Sequence, residues 1–204
     1  KHIQPYPVIF SFLKRLREIN KKEKKSLNKR NVTNFFHSLE SFHYINYKIG
    51  NNRAGKIEVP YAELTKNFSK CRNKDEFIRF YEDFLDDLRL LLDNEEIFVS
   101  KFIEITYQPN SAVKRHIRYV FHKLETHLRK KTEPPSEIYS PGKVLDKEIN
   151  NIEHWAPQHF KDEKDSYYEI YKKLNPQLID NIGNLFVMYY RKNSSLQNLS
   201  PEKK

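Results

Sequence analysis

Apolar residues recur at the spacing of helix turns over most of the sequence up to about residue 131. The clearest run follows Asn73 and consists of Phe77, Tyr81, Phe84, Leu88 and Leu91. Residues three, four or seven apart share one face of an α-helix, so this run predicts a helix that packs its apolar stripe into a core. Asn73 can cap that helix, and Asp75 and Glu76 suit the positive end of its dipole.

The same periodicity predicts three more helices. One spans residues 7–29, a second starts after Thr33 and ends near the loop at 50–55, and a third runs to about residue 131. Either Asn110 or Ser111 can cap the third helix. Its apolar positions, which we expect to anchor it, are Ile117, Tyr119, Val120, Phe121, Leu124 and Leu128. Residues 1–145 therefore read as one basic helical domain.

The chain is basic, with 37 Lys and Arg residues against 27 Asp and Glu residues and a net charge of +10. Most of the excess lies before residue 151. Positive charge favours a polyanionic partner through steering and counterion release. A solvated basic face is the alternative, because Lys-rich proteins often carry one. On the third helix, we expect the basic residues Lys114, Arg115 and Arg118 to face solvent or to contact phosphate.

Several classes of protein are disfavoured by composition. Cys71 is the only cysteine, so one chain can form neither a disulfide framework nor a thiolate zinc site, which fits a reducing, cytoplasmic setting. No apolar run is long enough for a membrane span. Only 4 glycines are present, and no Gly-rich phosphate loop is found, so we expect no nucleotide hydrolysis. Because the first residue is Lys1 and not Met, we expect an excised fragment.

A cluster of Pro134, Pro135, Pro141 and Gly142 interrupts the helical pattern and predicts a domain boundary at about residue 145. The segment NIEHWAPQHF follows at 151–160, in which a carboxylate and an imidazole are adjacent at Glu153 and His154. The β-branched and aromatic residues of 184–190 predict a strand, and residues 193–203 predict a helix. Residues 146–204 therefore have the outline of a small α+β domain, with two strands and a helix.

This C-terminal segment resembles the HNH nuclease domain of GmrSD-type, modification-dependent (type IV) restriction enzymes. The matching residues occur in the order of the family pattern: Ile152, Glu153, His154, Pro157, Gln158, Gly183, Asn184, Leu185, Asn193, Asn198 and Lys203. Each short motif is common by itself, whereas the ordered set is specific. The segments at 41–49 and 115–125 resemble the helical part that precedes the nuclease in those enzymes. A nucleotide-hydrolysing domain lies further upstream in the family.

The resemblance implies a metal-dependent DNA endonuclease or nickase with a ββα-metal fold, acting in an anti-phage restriction system. His154 would deprotonate water, since an unperturbed imidazole titrates near pH 6.5. Glu153 and Asn193 would hold Mg²⁺ or Mn²⁺, and Asn184 would orient His154. Phosphate contacts would come from Lys203 and Asn198. The expected partners are double-stranded DNA, including modified DNA, and the upstream nucleotide-hydrolysing domain; no membrane partner is expected.

Two other functions remain open from the sequence. The chain could be a DNA-binding module with a degenerate nuclease site, or a helical module that binds a regulatory protein. The individual residues also have simpler interpretations. His154 could be a packed core histidine, Gly183 and Asn184 a turn, and Asn193 a helix cap. Lys203 could be an ordinary solvent-exposed lysine, and Glu153 could serve in packing.

Overall fold

A computed structural model describes residues 5–23, 27, 29–92, 94–129, 145–189 and 198–203. Within these ranges the chain is mainly helical and contains one two-stranded antiparallel sheet, which confirms the predicted mainly α class. It divides into two compact units, Lys1–Phe102 and Ile103–Lys204. The division therefore lies earlier in the chain than the predicted boundary at 145. None of the described helices combines the length and the apolar character needed to cross a bilayer.

In its described residues, unit 1 is built mainly of helices. The α-helices are α1 (Tyr6–Lys22), α2 (Lys29–His43), α3 (Glu58–Lys70), α4 (Lys74–Leu90) and most of α5 (Glu95–Ile103), with a π-helix at Tyr44–Ile49 and a 3₁₀ turn at Ala54–Ile57. The α4 helix is the one predicted after Asn73, whose side chain accepts a hydrogen bond from the Glu76 amide at 2.9 Å. The α1 helix ends at Lys22, before its predicted end, and α2 begins earlier than predicted, at Lys29.

Aromatic rings fill the core of unit 1. Phe12 of α1 stacks on Phe35 of α2, with ring centroids 3.8 Å apart, and Phe68 of α3 stacks on Phe77 of α4 at 4.8 Å. All four side chains are fully buried. Cys71 lies in the same core, where burial raises the pKa of its thiol. The aromatic stripe of α4 thus serves in packing, as predicted.

Unit 2 contains α6 (Ser111–Arg129), strand β1 (Asn150–His154), the short helices α7 (Tyr167–Tyr171) and α8 (Pro176–Ile179), and strand β2 (Leu185–Tyr189). Single 3₁₀ turns span Ile182–Asn184 and Pro201–Lys203. The strands pair antiparallel, with His154 opposite Leu185 and Asn150 opposite Tyr189. Both predicted strands are therefore present. The helix predicted from Asn193 begins outside the described residues.

The α6 helix belongs to the same unit as the sheet and packs against both of its strands. Asn110 caps it by accepting a hydrogen bond from the Val113 amide at 2.9 Å. Ile117 and Val120 are buried, as expected of anchoring residues. Leu124 and Leu128 are instead 49% and 54% exposed, so the anchor is limited to the first half of the helix. The predicted basic helix is therefore part of the unit that contains Glu153 and His154.

Candidate active site

His154 is the last residue of β1, and its side chain is only 7% exposed. Burial alternates along the strand, with Asn150, Ile152 and His154 buried and Asn151 and Glu153 half-buried, as the two-residue period of a strand requires. The pairing with β2 ends at His154 opposite Leu185. The imidazole therefore sits where the sheet stops and the chain turns away.

The carboxylate of Asp180 holds the His154 ring. Nε2 of His154 lies 2.8 Å from Oδ1 of Asp180, and the same oxygen accepts a hydrogen bond from Nε2 of Gln158 at 2.7 Å. Because an ionised carboxylate can only accept, this contact places a proton on Nε2 of His154. In the neutral ring, the basic lone pair is then on Nδ1. The edge of the Tyr107 ring also packs on the imidazole, with centroids 5.0 Å apart.

Asn184 braces the turn that follows His154. Its Oδ1 accepts a hydrogen bond from the Ala156 amide at 2.8 Å, and its Nδ2 donates to the carbonyl oxygens of Ala156 and Ile179 at 2.9 and 2.7 Å. Its backbone carbonyl accepts from the Trp155 amide at 2.7 Å. These bonds occupy both amide hydrogens of Asn184. The direct contact with His154 that we expected from Asn184 is made by Asp180, while Asn184 fixes the backbone beside the imidazole.

A short stretch of extended chain ties Asp180 to the segment that leads into α6. The Tyr107 amide donates to the Asp180 carbonyl at 2.6 Å, and the Ile182 amide donates to the Ile105 carbonyl at 2.8 Å. Thr106 and Asn181 form an isolated antiparallel bridge between these bonds. The segment before α6 thus holds the backbone of Asp180, and the same hydrogen bond keeps Tyr107 next to it.

Two adjoining concave surfaces surround these groups. The first, which we call the His154 cavity, has a volume of about 300 Å³ and is lined by Tyr107, Lys114, Arg118, Asn151, Ile152, Glu153, His154, Gln158, His159 and Asn198. The second, the α6 groove, is lined by Ser111, Lys114, Arg115, Arg118, Leu145, Asp146, Lys147 and Glu148. Lys114 and Arg118 line both. The structure therefore brings five of the predicted residues to one cavity: Lys114, Arg118, Glu153, His154 and Asn198.

Lys203, predicted to contact phosphate, lies elsewhere in the structure. Its ammonium pairs with the Asp165 carboxylate, which also accepts hydrogen bonds from the Ser200 hydroxyl at 3.2 Å and the Tyr167 amide at 2.9 Å. The hydrogen bond from Lys203, followed by that from the Tyr167 amide, lowers the pKa of Asp165 below its ordinary value. Lys203 is absent from the lining of the His154 cavity. The predicted metal ligand Asn193 lies outside the described residues.

The donor groups of the His154 cavity fit a lightly held Mg²⁺. They include one carboxylate, Glu153, and the amide oxygens of Asn151, Gln158 and Asn198. Mg²⁺ in nucleotide-processing sites is commonly bound by one or two carboxylates, with waters and phosphate oxygens as its other ligands. Among the described residues, however, no cluster of three or more His, Cys, Asp or Glu side chains is placed to bind a metal. The donor set therefore suits an ion that shares its coordination with substrate.

Asp180 and Tyr107 were not identified from the sequence. Asp180 contacts a residue 26 positions away, and Tyr107 precedes the helix whose basic residues drew the prediction. The sequence feature that could have pointed to Asp180 is its place as an acidic residue shortly before Gly183 and Asn184. By itself that signal has no specificity, because acidic residues are frequent at turns.

The comparison with protein families gives a match over the C-terminal half of the chain. A model of the C-terminal domain of GmrSD restriction endonucleases matches residues 92–204. The matched region covers α6, both strands and every residue described above in the His154 cavity. No curated protein and no solved structure matches the chain. Because the family model covers more than half of the 204 residues, the chain belongs to the family of GmrSD restriction endonuclease C-terminal domains.

Proposed function

We propose that this protein is a metal-dependent DNA endonuclease or nickase with an HNH-type, ββα-metal site. We further propose that it forms the effector part of an anti-phage restriction system. One observation carries the proposal: a buried His154, bonded to Asp180, faces a polar cavity that also contains a carboxylate and two basic side chains of α6. An imidazole with its tautomer set by a carboxylate is suited to general-base chemistry.

In the proposed reaction, Nδ1 of His154 takes a proton from water as the water oxygen forms a bond to phosphorus. The bond between phosphorus and the leaving sugar oxygen breaks, and that oxygen takes a proton from solvent. Asp180 stabilises the imidazolium that forms and holds the ring in place during the transfer. Asn184 maintains the backbone turn next to the ring. Asn198, which lines the cavity, would contact a phosphate oxygen.

Glu153 is the described carboxylate that would hold Mg²⁺ or Mn²⁺, together with Asn193 as predicted from the sequence. When bound, such an ion supplies positive charge to the phosphate and leaving oxygens. Lys203 has a structural role in this proposal, because its ammonium is engaged with Asp165.

Double-stranded DNA, including modified DNA, is the proposed substrate. The exposed Arg115 and the half-buried Lys114 lie along the α6 groove, which adjoins the His154 cavity. A duplex backbone lying in that groove would follow basic side chains towards His154. In the full-length protein, an upstream nucleotide-hydrolysing domain would be the regulatory partner, and the setting would be cytoplasmic.

The decisive experiment is a cleavage assay on unmodified and modified supercoiled plasmids, with Mg²⁺ or Mn²⁺ in series and EDTA as the metal-free arm. We expect nicked or linear product only with metal. Replacing His154 by Ala should reduce the rate by about 100- to 10,000-fold, the usual range for a lost general base. The matched control is His37→Ala, since His37 is an exposed histidine of unit 1.

Three outcomes would contradict the proposal. If His154→Ala cleaved at the wild-type rate, the assignment of His154 as the general base would be wrong. If the wild-type protein bound DNA without cutting it, an inactive DNA-binding module would be favoured. Absence of DNA binding even at low salt would favour a protein-interaction module instead.

A further inference from the structure

Arg118 is a buried guanidinium with few partners. It is only 7% exposed, and its Nη2 donates to the Asn150 carbonyl at 3.2 Å, a long distance for a charged donor. Its Nε is buried and has no hydrogen-bond partner among the described residues. Within the same part of the chain, Asp146 acts on it electrostatically but forms no ion pair with it. Of its five N–H donors, one on Nη2 therefore has a described acceptor, and the buried one on Nε has none among the described residues.

Such a side chain lowers the stability of a fold unless something else binds it. Burying a charge or a donor without a partner is unfavourable, and buried Arg residues are normally paired. Burial lowers the pKa of Arg118, although Tyr107 and Asp146 oppose the shift. We therefore expect an anion that binds the Arg118 guanidinium to raise the stability of the folded protein.

The place of Arg118 identifies the kind of anion. It lies where the His154 cavity meets the α6 groove, and it lines both. We infer that Arg118 binds the phosphodiester that is hydrolysed beside His154, with its planar fork directed at the non-bridging oxygens. The inference rests on the proposed function and assigns Arg118 to the reacting phosphate itself. Attack by water adds negative charge to those oxygens, and a fixed guanidinium stabilises that charge without reorganising.

Lys114 is less buried than Arg118, and this difference suggests that Lys114 serves in DNA binding and Arg118 in the reaction. Lys114 is half-buried, and its ammonium lies 5.5 Å from the centre of the Tyr107 ring. Its long stem can follow a nearby backbone phosphate while the charge stays hydrated. We therefore expect loss of Lys114 to weaken DNA binding and loss of Arg118 to slow the reaction of bound DNA.

The first test uses the full chain without metal or DNA. Thermal melting is followed for wild type, Arg118→Met and Arg118→Lys, with inorganic phosphate titrated against chloride at constant ionic strength. Without phosphate, Arg118→Met should melt at or above the wild-type temperature, since it removes an unpaired buried charge. Phosphate should raise the melting temperature of wild type saturably, and this rise should be lost in Arg118→Met and reduced in Arg118→Lys. Arg89→Met, which removes an exposed guanidinium of unit 1, should keep the full rise.

Three results would overturn the inference: no phosphate effect on wild type, an equal effect on Arg118→Met, or a marked drop in the melting temperature of Arg118→Met without phosphate. The last would show that Arg118 serves only the fold. These melting results decide the role of Arg118 even if wild type cleaves no DNA, in which case the proposed function alone fails.

The second test measures single-turnover cleavage of supercoiled plasmid. Arg118→Met should lower the rate at saturating DNA by about 100-fold or more, as for loss of one fixed charge-stabilising donor. Its DNA affinity, measured in a His154→Ala background, should change by less than that of Lys114→Met. A wild-type rate for Arg118→Met would contradict the assignment.

Discussion

The Oδ1 atom of Asp180 accepts hydrogen bonds from two side chains, that of His154 at the end of β1 at 2.8 Å and that of Gln158 after the strand at 2.7 Å. A carboxylate in this position fixes the protonated nitrogen of the imidazole as well as the orientation of the ring. In the proposed reaction, Asp180 is therefore a positioning residue, which acts through His154.

We expect Asp180→Asn to lower kcat by about 10- to 100-fold, the range seen for groups that orient a functional histidine, with little change in the KM for DNA. The ¹⁵N chemical shifts of the His154 ring should show a changed balance between its two neutral tautomers. Asp83→Asn, an exposed position on α4, is the control and should leave both measurements unchanged. An unaltered kcat in Asp180→Asn would rule out the positioning role.

The Asp165 cluster makes a separate prediction about acid stability. Because its hydrogen bonds lower the pKa of Asp165 in the folded protein, its contribution is present above the ordinary value of 3.8 and is lost as the pH falls through the folded pKa. Asp165→Asn should melt below wild type at pH 7, and the gap should narrow as the pH is lowered towards 3. The control is Asp162→Asn, in which an exposed carboxylate is replaced. A gap that stays constant with pH would contradict this account.

The two asparagines of the C-terminal motif are predicted to differ in their dependence on metal. Asn198 is exposed and lines the rim of the His154 cavity. Asn198→Ala should weaken cleavage without changing the Mg²⁺ concentration that gives half-maximal rate, as expected for a residue that binds phosphate. Asn193→Ala should raise that concentration sharply, as expected for a ligand. A metal titration giving the reverse order would exchange the two roles.

At the scale of elements, α6 would connect DNA docking to chemistry in the proposed function. One side of its first half is buried at Ile117 and Val120, and the basic residues Lys114 and Arg115 line the α6 groove. Since the helix packs on both strands, its position is set by the same sheet that ends at His154.

Removing the charges of Lys114 and Arg115 by Met substitution should weaken DNA binding at low salt and flatten its salt dependence. The slope of log affinity against log salt should fall by about 0.9 for each DNA phosphate that the protein no longer neutralises. Fluorescence anisotropy on a short duplex measures this slope, with Lys172→Met as the control because Lys172 is paired with Glu169 on α7. An unchanged slope would place the DNA surface elsewhere.

At the scale of the whole molecule, the chain has two cores of different kinds. Unit 1 buries stacked aromatic rings of four helices, whereas unit 2 buries apolar residues of α6 and of its sheet. The candidate site lies entirely among residues of unit 2.

Phe12→Ala should lower the free energy of unfolding by about 3–5 kcal/mol, because it removes a fully buried ring. Hydrogen exchange should show weaker protection in α1 to α4, with β1 and β2 retaining theirs. Phe36→Ala removes a neighbouring ring that is 37% exposed and should cost clearly less. Equally weakened protection in both units would show that they unfold as one.

Prediction from the sequence succeeded where the interactions are local. The α4 helix followed from its periodic stripe and the Asn73 cap, and the strand β2 followed from the β-branched and aromatic run at 184–190. The α3 helix was missed, although Tyr61, Leu64 and Phe68 share one face and are buried. The apolar stripe of α3 is short and lies between polar residues. Its side chains are buried by neighbouring helices, which the local sequence pattern does not reveal.

The sequence by itself determined the mainly helical class and the family, and it singled out Glu153 and His154 as candidate site residues. It could do so because caps, periodicity and short motifs depend on residues near one another in the chain. Only the tertiary structure decided that Asp180 holds His154, that Asn184 braces the next turn, and that α6 joins the sheet. These contacts link residues far apart in sequence, 26 positions apart for His154 and Asp180 and 32 for Arg118 and Asn150. Such pairs form through the packing of whole elements, which no local pattern specifies.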